Sequence, residues 1–134
     1  MKNLLLDTHV LIWSQQEPER LGSATRRALL DPTNPRAFHT ISTLEIGRLA
    51  AGGQLVFRTD PWTWIKGALG ALRCQTLELT HEDALGAYGL PEPFHRDPCD
   101  RILVAAARQR GLTLLTADER ILGYRNVSSL DARR

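Results

Sequence analysis

Two short stretches, the apolar runs within NLLLD (3–7) and LTLLT (112–116), limit most what this chain can fold into. Neither alternates apolar with polar residues. A strand with one wet face alternates, whereas a strand covered on both faces is apolar throughout. Covered strands of that kind belong to parallel sheets, and parallel neighbours need long crossovers, usually helices. The segments between the runs carry the helical spacing this requires. Strands are expected at 2–6, 37–41, 75–79, 112–116 and 126–130, and helices at 8–15, 23–31, 42–52, 60–73, 80–89, 100–111 and 117–122. The alternation predicts an α/β fold, a central parallel sheet with helices on both faces.

Local chemistry supports several of these boundaries. Ser23 is expected to cap the second helix. Gly52 and Gly53 close the third, and Gly111 ends the helix from 100. Asp60-Pro61 opens the fourth helix, and Thr80 and Asp83 have the spacing of a capping box. No internal repeat, low-complexity tract or boundary interrupts the 134 residues, so a single domain over 1–134 is expected. Cys74 and Cys99 make no CxxC pair, which fits a reducing, cytoplasmic setting. The opening MKNLLLDTHVLIW is broken by Asp7 and His9 and has no cleavage site, so it does not read as a signal peptide. No run approaches the ~20 apolar residues of a membrane span, and no membrane partner is expected.

In parallel sheets, ligands bind beyond the carboxyl ends of the strands. Four acids fall there. Asp7 follows the first apolar run and Asp118 follows LLTA. Glu45 lies on the helix after the strand AFHTI, and Asp100 on the helix opened by HRDPCD. Each has a second reading. Asp7 can cap the helix from Thr8. Glu45 stands three residues after Ser42, again capping-box spacing. Asp118 suits the dipole of a helix start. Asp97, before Pro98, is the natural cap of its helix, which leaves Asp100 free to project into a cleft. Several carboxylates in one cleft repel one another unless a cation neutralises them. An all-oxygen set points to Mg²⁺ or Mn²⁺. The histidines at 9, 39, 81 and 95 are scattered and build no zinc site; only His95 flanks the acid loop.

LLLDTHVLIW, STLEIGRL, HRDPCDRILVAAA and LTLLTADERI, in that order, resemble the motifs of PIN domains, and most of all the VapC-type toxins of bacterial toxin–antitoxin pairs. The resemblance spans essentially the whole chain and implies a PIN-like three-layer fold. It also implies a metal-dependent endoribonuclease in which Asp7, Glu45, Asp100 and Asp118 form an acidic quartet. Asp7 and Asp100 would be direct ligands, Asp118 would complete the site, and Glu45 would ligate the metal or orient the attacking water. Thr116 falls where the family often has a hydroxyl near the metal, and Thr8 is a backbone or water contact. Cys99 stands where relatives tend to carry an aromatic residue, usually Phe. The implied partners are RNA, a small cognate antitoxin and a second copy of the chain.

Substrate phosphates would fall to arginines near the cleft: Arg48, one turn after Glu45, Arg96 and Arg101 beside the acid loop, and Arg120. Fifteen arginines to two lysines suit that role, because the guanidinium binds phosphate bidentately. The same count fits a plain compositional bias, and each arginine can instead pair with the acids. On helix 61–73, Trp62, Ile65, Leu69 and Leu72 predict a core face, and Trp64, Ala68 and Ala71 a second stripe. Trp64 is expected at an interface with a second copy or an antitoxin. Rival enzyme classes lack their residues. A haloacid-dehalogenase-like phosphatase needs Asp two residues after the first, where His9 stands. A receiver domain needs a late Lys, and a Rossmann domain needs GxGxxG. The remaining alternative is a non-catalytic module of PIN-like fold whose acids bind a partner's arginine.

Overall fold

The computed structural model describes residues 2–134. Five parallel strands form its centre: β1 (Leu4–Leu6), β2 (Arg36–His39), β3 (Gln75–Leu77), β4 (Thr113–Thr116) and β5 (Ser129–Asp131), in the order β3-β2-β1-β4-β5. The two runs that lack alternation are adjacent central strands, with Leu4, Leu5 and Leu6 registered on Thr113, Leu114 and Leu115. Successive side chains point to opposite faces. Leu4, Leu6 and Leu115 therefore enter one core with α1 (Thr8–Gln16), α2 (Ser23–Leu30) and α4 (Pro61–Leu72). Leu5 and Leu114 enter the other, with α5 (His81–Tyr88), α6 (Pro98–Arg110) and α7 (Glu119–Leu122). Helix α3 (Thr40–Ala51) belongs to both layers, placing Ile41 in the second core and Ile46 in the first. The three-layer α/β/α arrangement expected from the sequence is the one observed.

Several local expectations also hold. Asp60 caps α4 through the Thr63 amide, Asp97 caps α6 through the Asp100 amide at 3.1 Å, and Thr80 and Asp83 form a reciprocal capping box. Gly111 ends α6 at φ 64°, a left-handed conformation that glycine adopts without steric cost.

Others are corrected. Ser23 is not a cap; it is the first residue of α2, and Gly22 stands at the cap position with no side chain to offer. Helix α3 starts at Thr40, two residues earlier than expected, because His39 caps it: its Nδ1 accepts the Ile41 amide at 3.0 Å. Ser42 is therefore inside the helix with a buried hydroxyl, and the Ser42–Glu45 capping box does not form. Strand β3 stops at Leu77, and the last strand lies slightly later than expected.

On α4 the core face is Ile65, Ala68 and Leu72, while Trp62 is 56% exposed. Trp64 is half-buried and stacks on Phe57 at 4.5 Å between centroids, so the loop before α4 covers part of its ring. Among the described residues, no helix is long and apolar enough to cross a membrane.

Candidate active site

Every element that delivers an acid ends or begins at the carboxyl edge of the sheet. Strand β1 ends at Leu6, so Asp7 is the first residue beyond it and the cap of α1. Strand β4 ends at Thr116, and Asp118 follows as the cap of α7. Helix α6 leads into β4 and so begins at that edge, with Asp100 in its first turn. Helix α3 leaves β2 there and carries Glu45 on its second turn. The four carboxylates line one cleft of about 400 Å³ with Asp97, His9, Trp13, Arg20 and Arg120.

Two threonine hydroxyls organise the acids from below. Thr116 is fully buried; its hydroxyl accepts the Asp118 amide at 3.0 Å, so its proton goes to Asp7 Oδ2 at 2.6 Å. Thr8, also fully buried, donates to Glu45 Oε2 at 3.3 Å, and its amide donates to Asp7 Oδ1 at 2.8 Å. The capping and clustering readings of Asp7 are therefore both true. One oxygen takes a helix amide and the other faces Thr116.

The cluster is electrostatically strained. Burial raises the Asp7 carboxyl above its ordinary value, against the hydrogen bonds from Thr116 and Thr8. Burial and then the Asp7 charge raise Glu45. Asp100 is affected most: burial, then the charges of Asp7, Asp97, Asp118 and Glu45, push it up to about 8. Asp118 goes the other way. Burial works to raise it, but hydrogen bonds and charge from Arg120 outweigh that and hold it low. Arg120 reaches Asp118 at 3.1 Å and Asp100 at 3.9 Å, so a guanidinium of the chain itself lies across two of the acids.

As these side chains stand, no three acids among the described residues share a point from which to ligate one ion. Asp7 is bonded to Thr116, Glu45 to Thr8 and Asp118 to Arg120. The donor set itself suits a hard divalent cation. It is all oxygen, largely buried, and each member's charge makes its neighbours harder to ionise.

The remaining candidates separate. His95 does join the site: Nε2 stands 3.0 Å from Asp100 Oδ2, at ion-pair range but out of line for a hydrogen bond. Burial and then Arg120 hold its imidazole below the usual value. Arg101 does not join. It is buried, and its guanidinium donates to the carbonyls of Ala87, Phe94 and His95 and pairs with Glu92 at 3.0 Å. Its donors are spent on holding the loop before α6, so the expected phosphate role for Arg101 is replaced by a structural one. Arg48 lines a separate groove with Trp62 and Leu44, and Arg96 is exposed outside the cleft.

Sequence reasoning missed Arg20 and Trp13. Arg20 lies outside the motifs, on a single 3-10 turn (Pro18–Arg20) after the first of them, and the fold brings it to the cleft. Trp13 sits within the first motif, and its spacing of four residues from His9 marks one helix face.

A parallel sheet in this order, with acids from four separate segments on its carboxyl edge, is the architecture of a PIN domain. The PIN-domain family model matches residues 4–127, and the chain belongs to that family. Ribonuclease VapC22 of Mycobacterium tuberculosis is 32% identical over 126 residues, covering 94% of this chain and 95% of that protein. Similar solved structures include VapBC2 from Rickettsia felis bound to a promoter DNA fragment (TM-score 0.67, 13% identity, 96% of this chain and 97% of that one). A toxin–antitoxin complex from Klebsiella pneumoniae is similar at TM-score 0.65 and 17% identity, covering 97% of this chain and 98% of that one.

Proposed function

We propose that this protein is a metal-dependent endoribonuclease acting as the toxin of a toxin–antitoxin pair, with Asp7, Glu45, Asp100 and Asp118 as its working acids. The observation that carries the reading is the convergence of these four carboxylates on one cleft, where Asp100 is pushed up to about 8. Similarity to a ribonuclease along nearly the whole chain supports the same activity. Asp7, Asp100 and Asp118 would hold Mg²⁺ or Mn²⁺. When bound, the ion supplies Lewis acidity for the attacking water and for the charge that develops on the phosphate.

The chain's own residues do the rest. Thr116 fixes the distance between Asp7 and Asp118 by bonding both. Thr8 aims Glu45 at the cleft, where its raised affinity for a proton suits a group that orients the attacking water. Asp97 takes over the capping of α6, which leaves the Asp100 carboxylate free of that duty. Arg120 covers Asp118 and Asp100 and is a cation of the cleft that would turn toward a substrate phosphate. Arg48 and Arg96, outside the cleft, suit phosphates further along the RNA, whose contacts position without specifying sequence.

The partners follow the same reading: an RNA substrate, a small cognate antitoxin and a second copy of the chain, all in the cytoplasm. Two of the solved relatives are complexes with an antitoxin or with VapB, which supports the second partner. The alternative is a non-catalytic PIN-like module that binds a partner's arginine. One observation favours it, since Asp118 and Asp100 already accept a guanidinium from Arg120. Incubation of the purified protein with RNA and Mg²⁺ or Mn²⁺ separates the two. The nuclease reading expects cleavage that chelation abolishes and that Asp7→Asn abolishes without loss of the fold. Cleavage that survives Asp7→Asn sinks it.

A further inference from the structure

Besides the acids, the cleft has a wall of residues from α1 and the 3-10 turn after it: His9, Trp13 and Arg20. His9 and Trp13 stand four residues apart on α1, so they share a face, with ring centroids 5.8 Å apart and planes tilted by 52°. The guanidinium of Arg20 lies 4.2 Å over the Trp13 ring, and Glu17 holds its other side at 3.0 Å. Trp13 is half-buried and packs on the core. Its outer part lines the cleft, and Arg20 stays 55% exposed. Among the described residues, neither the indole N–H of Trp13 nor either ring nitrogen of His9 has a hydrogen-bond partner. Among the described residues, none of the three makes a hydrogen bond or ion pair with the four acids.

We propose that His9, Trp13 and Arg20 form a nucleobase subsite for single-stranded RNA, beside the point where the acids meet the scissile phosphate. The inference rests on the ribonuclease reading and deepens it. Three properties of the wall carry it. First, it is aromatic, with a guanidinium already held over the Trp13 ring, and aromatic and guanidinium surfaces both stack bases in single-strand recognition. Second, it faces carboxylates. A phosphate placed against it would meet Asp7 and Glu45, whereas a base is neutral and carries donors and acceptors for the free indole and imidazole nitrogens. Third, it is part of a cleft lining. Bases inside a duplex hide their faces, so only a splayed or unpaired base can enter a concave wall of this kind.

The test uses the full chain carrying Asp7→Asn, so that RNA is bound and not cut. A fluorescein-labelled eight-nucleotide RNA single strand is titrated in Mg²⁺ and followed by anisotropy, with the duplex of the same sequence alongside. Adding Trp13→Ala should weaken single-strand binding about tenfold, Trp13→Phe should recover most of it, and Arg20→Gln and His9→Ala should each weaken it several-fold. Duplex binding should not respond. In the cleaving protein, the same changes should fall on KM and on the position cut. A merely structural Trp13 would instead lower the melting temperature without changing the position cut. If Trp13→Ala does not fold, Arg20→Gln and His9→Ala, both exposed, decide the matter. Single-strand affinity and cleavage position that match the parent in all folded variants overturn the subsite while the nuclease reading stands. A parent that cuts no RNA sinks the nuclease reading, and the Asp7→Asn titration still reports on the subsite by itself.

Discussion

Asp97 and Asp100 are three residues apart and chemically identical, and the structure gives them opposite work. Asp97 is exposed and accepts the Asp100 amide, while the Asp100 carboxyl is buried among other acids. Asp97→Ala should therefore cost about 1 kcal/mol of stability as a lost cap. Asp100→Asn should abolish cleavage and leave stability at neutral pH equal or higher. Its pH dependence follows from the raised value. From the ordinary carboxylate range up to about 8, the folded state holds a proton that the unfolded chain has released, so stability falls as pH rises through that window. Melting curves in chelator should show this decline in the parent and a flatter profile in Asp100→Asn. An unchanged profile would mean that the carboxyl is not strained. Arg120 makes a second test at this scale. Its guanidinium competes with any cation for Asp118 and Asp100. Arg120→Ala should give a larger rise in melting temperature at a given Mn²⁺ concentration, and a smaller rise would show that Arg120 assists binding of the ion.

Elements are held in place by a buried polar network on the far side of α3. His39, the last residue of β2, accepts the Ile41 amide at Nδ1, so its Nε2 carries the proton and donates to Asp83 at 2.8 Å. Asp83 lies on α5, and Arg110, at the end of α6, grips both of its oxygens at 2.7 and 3.1 Å. One carboxylate thus ties the strand and helix that lead to Glu45 to two further helices. Burial works to raise Asp83, but the bonds from Arg110 and His39 outweigh it and hold it below the usual range. That stabilisation is present above the ordinary carboxylate pKa and is lost as pH falls through the depressed one. Asp83→Asn should cost about 3–5 kcal/mol, because it leaves Arg110 and His39 without their charge partner. Urea titration measures this, and a loss under 1 kcal/mol would show that the network is dispensable. On α4 the two tryptophans should also differ. Trp64→Ala removes the stack on Phe57 and should cost about 3 kcal/mol. Trp62→Ala should leave stability nearly unchanged and, on the partner reading, weaken self-association or antitoxin binding in sedimentation.

For the whole molecule, the carboxyl edge of the sheet is where the fold stores unfavourable charge. A ligand that binds only the folded state stabilises it by mass action. Mn²⁺ or Mg²⁺ should therefore raise the melting temperature of the parent. The quadruple variant Asp7→Asn, Glu45→Gln, Asp100→Asn, Asp118→Asn should not respond, and the same shift in both would place the ions elsewhere.

Much of this arrangement was legible in the sequence, because it depends on local pattern. Unbroken apolar runs require cover on both faces, so LLL and LTLLT determined a parallel sheet and, with it, the edge on which Asp7, Glu45, Asp100 and Asp118 lie. Caps at Asp60, Asp97 and Thr80 were equally readable, since each bonds an amide three residues away. The tertiary structure alone decided what long side chains do. Helical spacing separates one face from another but does not say which neighbour each face meets. So Trp64 lies under Phe57 while Trp62 is exposed, and Arg101 holds a loop while Arg20 and Arg120 reach the cleft. An arginine spans several ångströms, and its partner is whichever carbonyl, carboxylate or ring the folded chain brings within that reach.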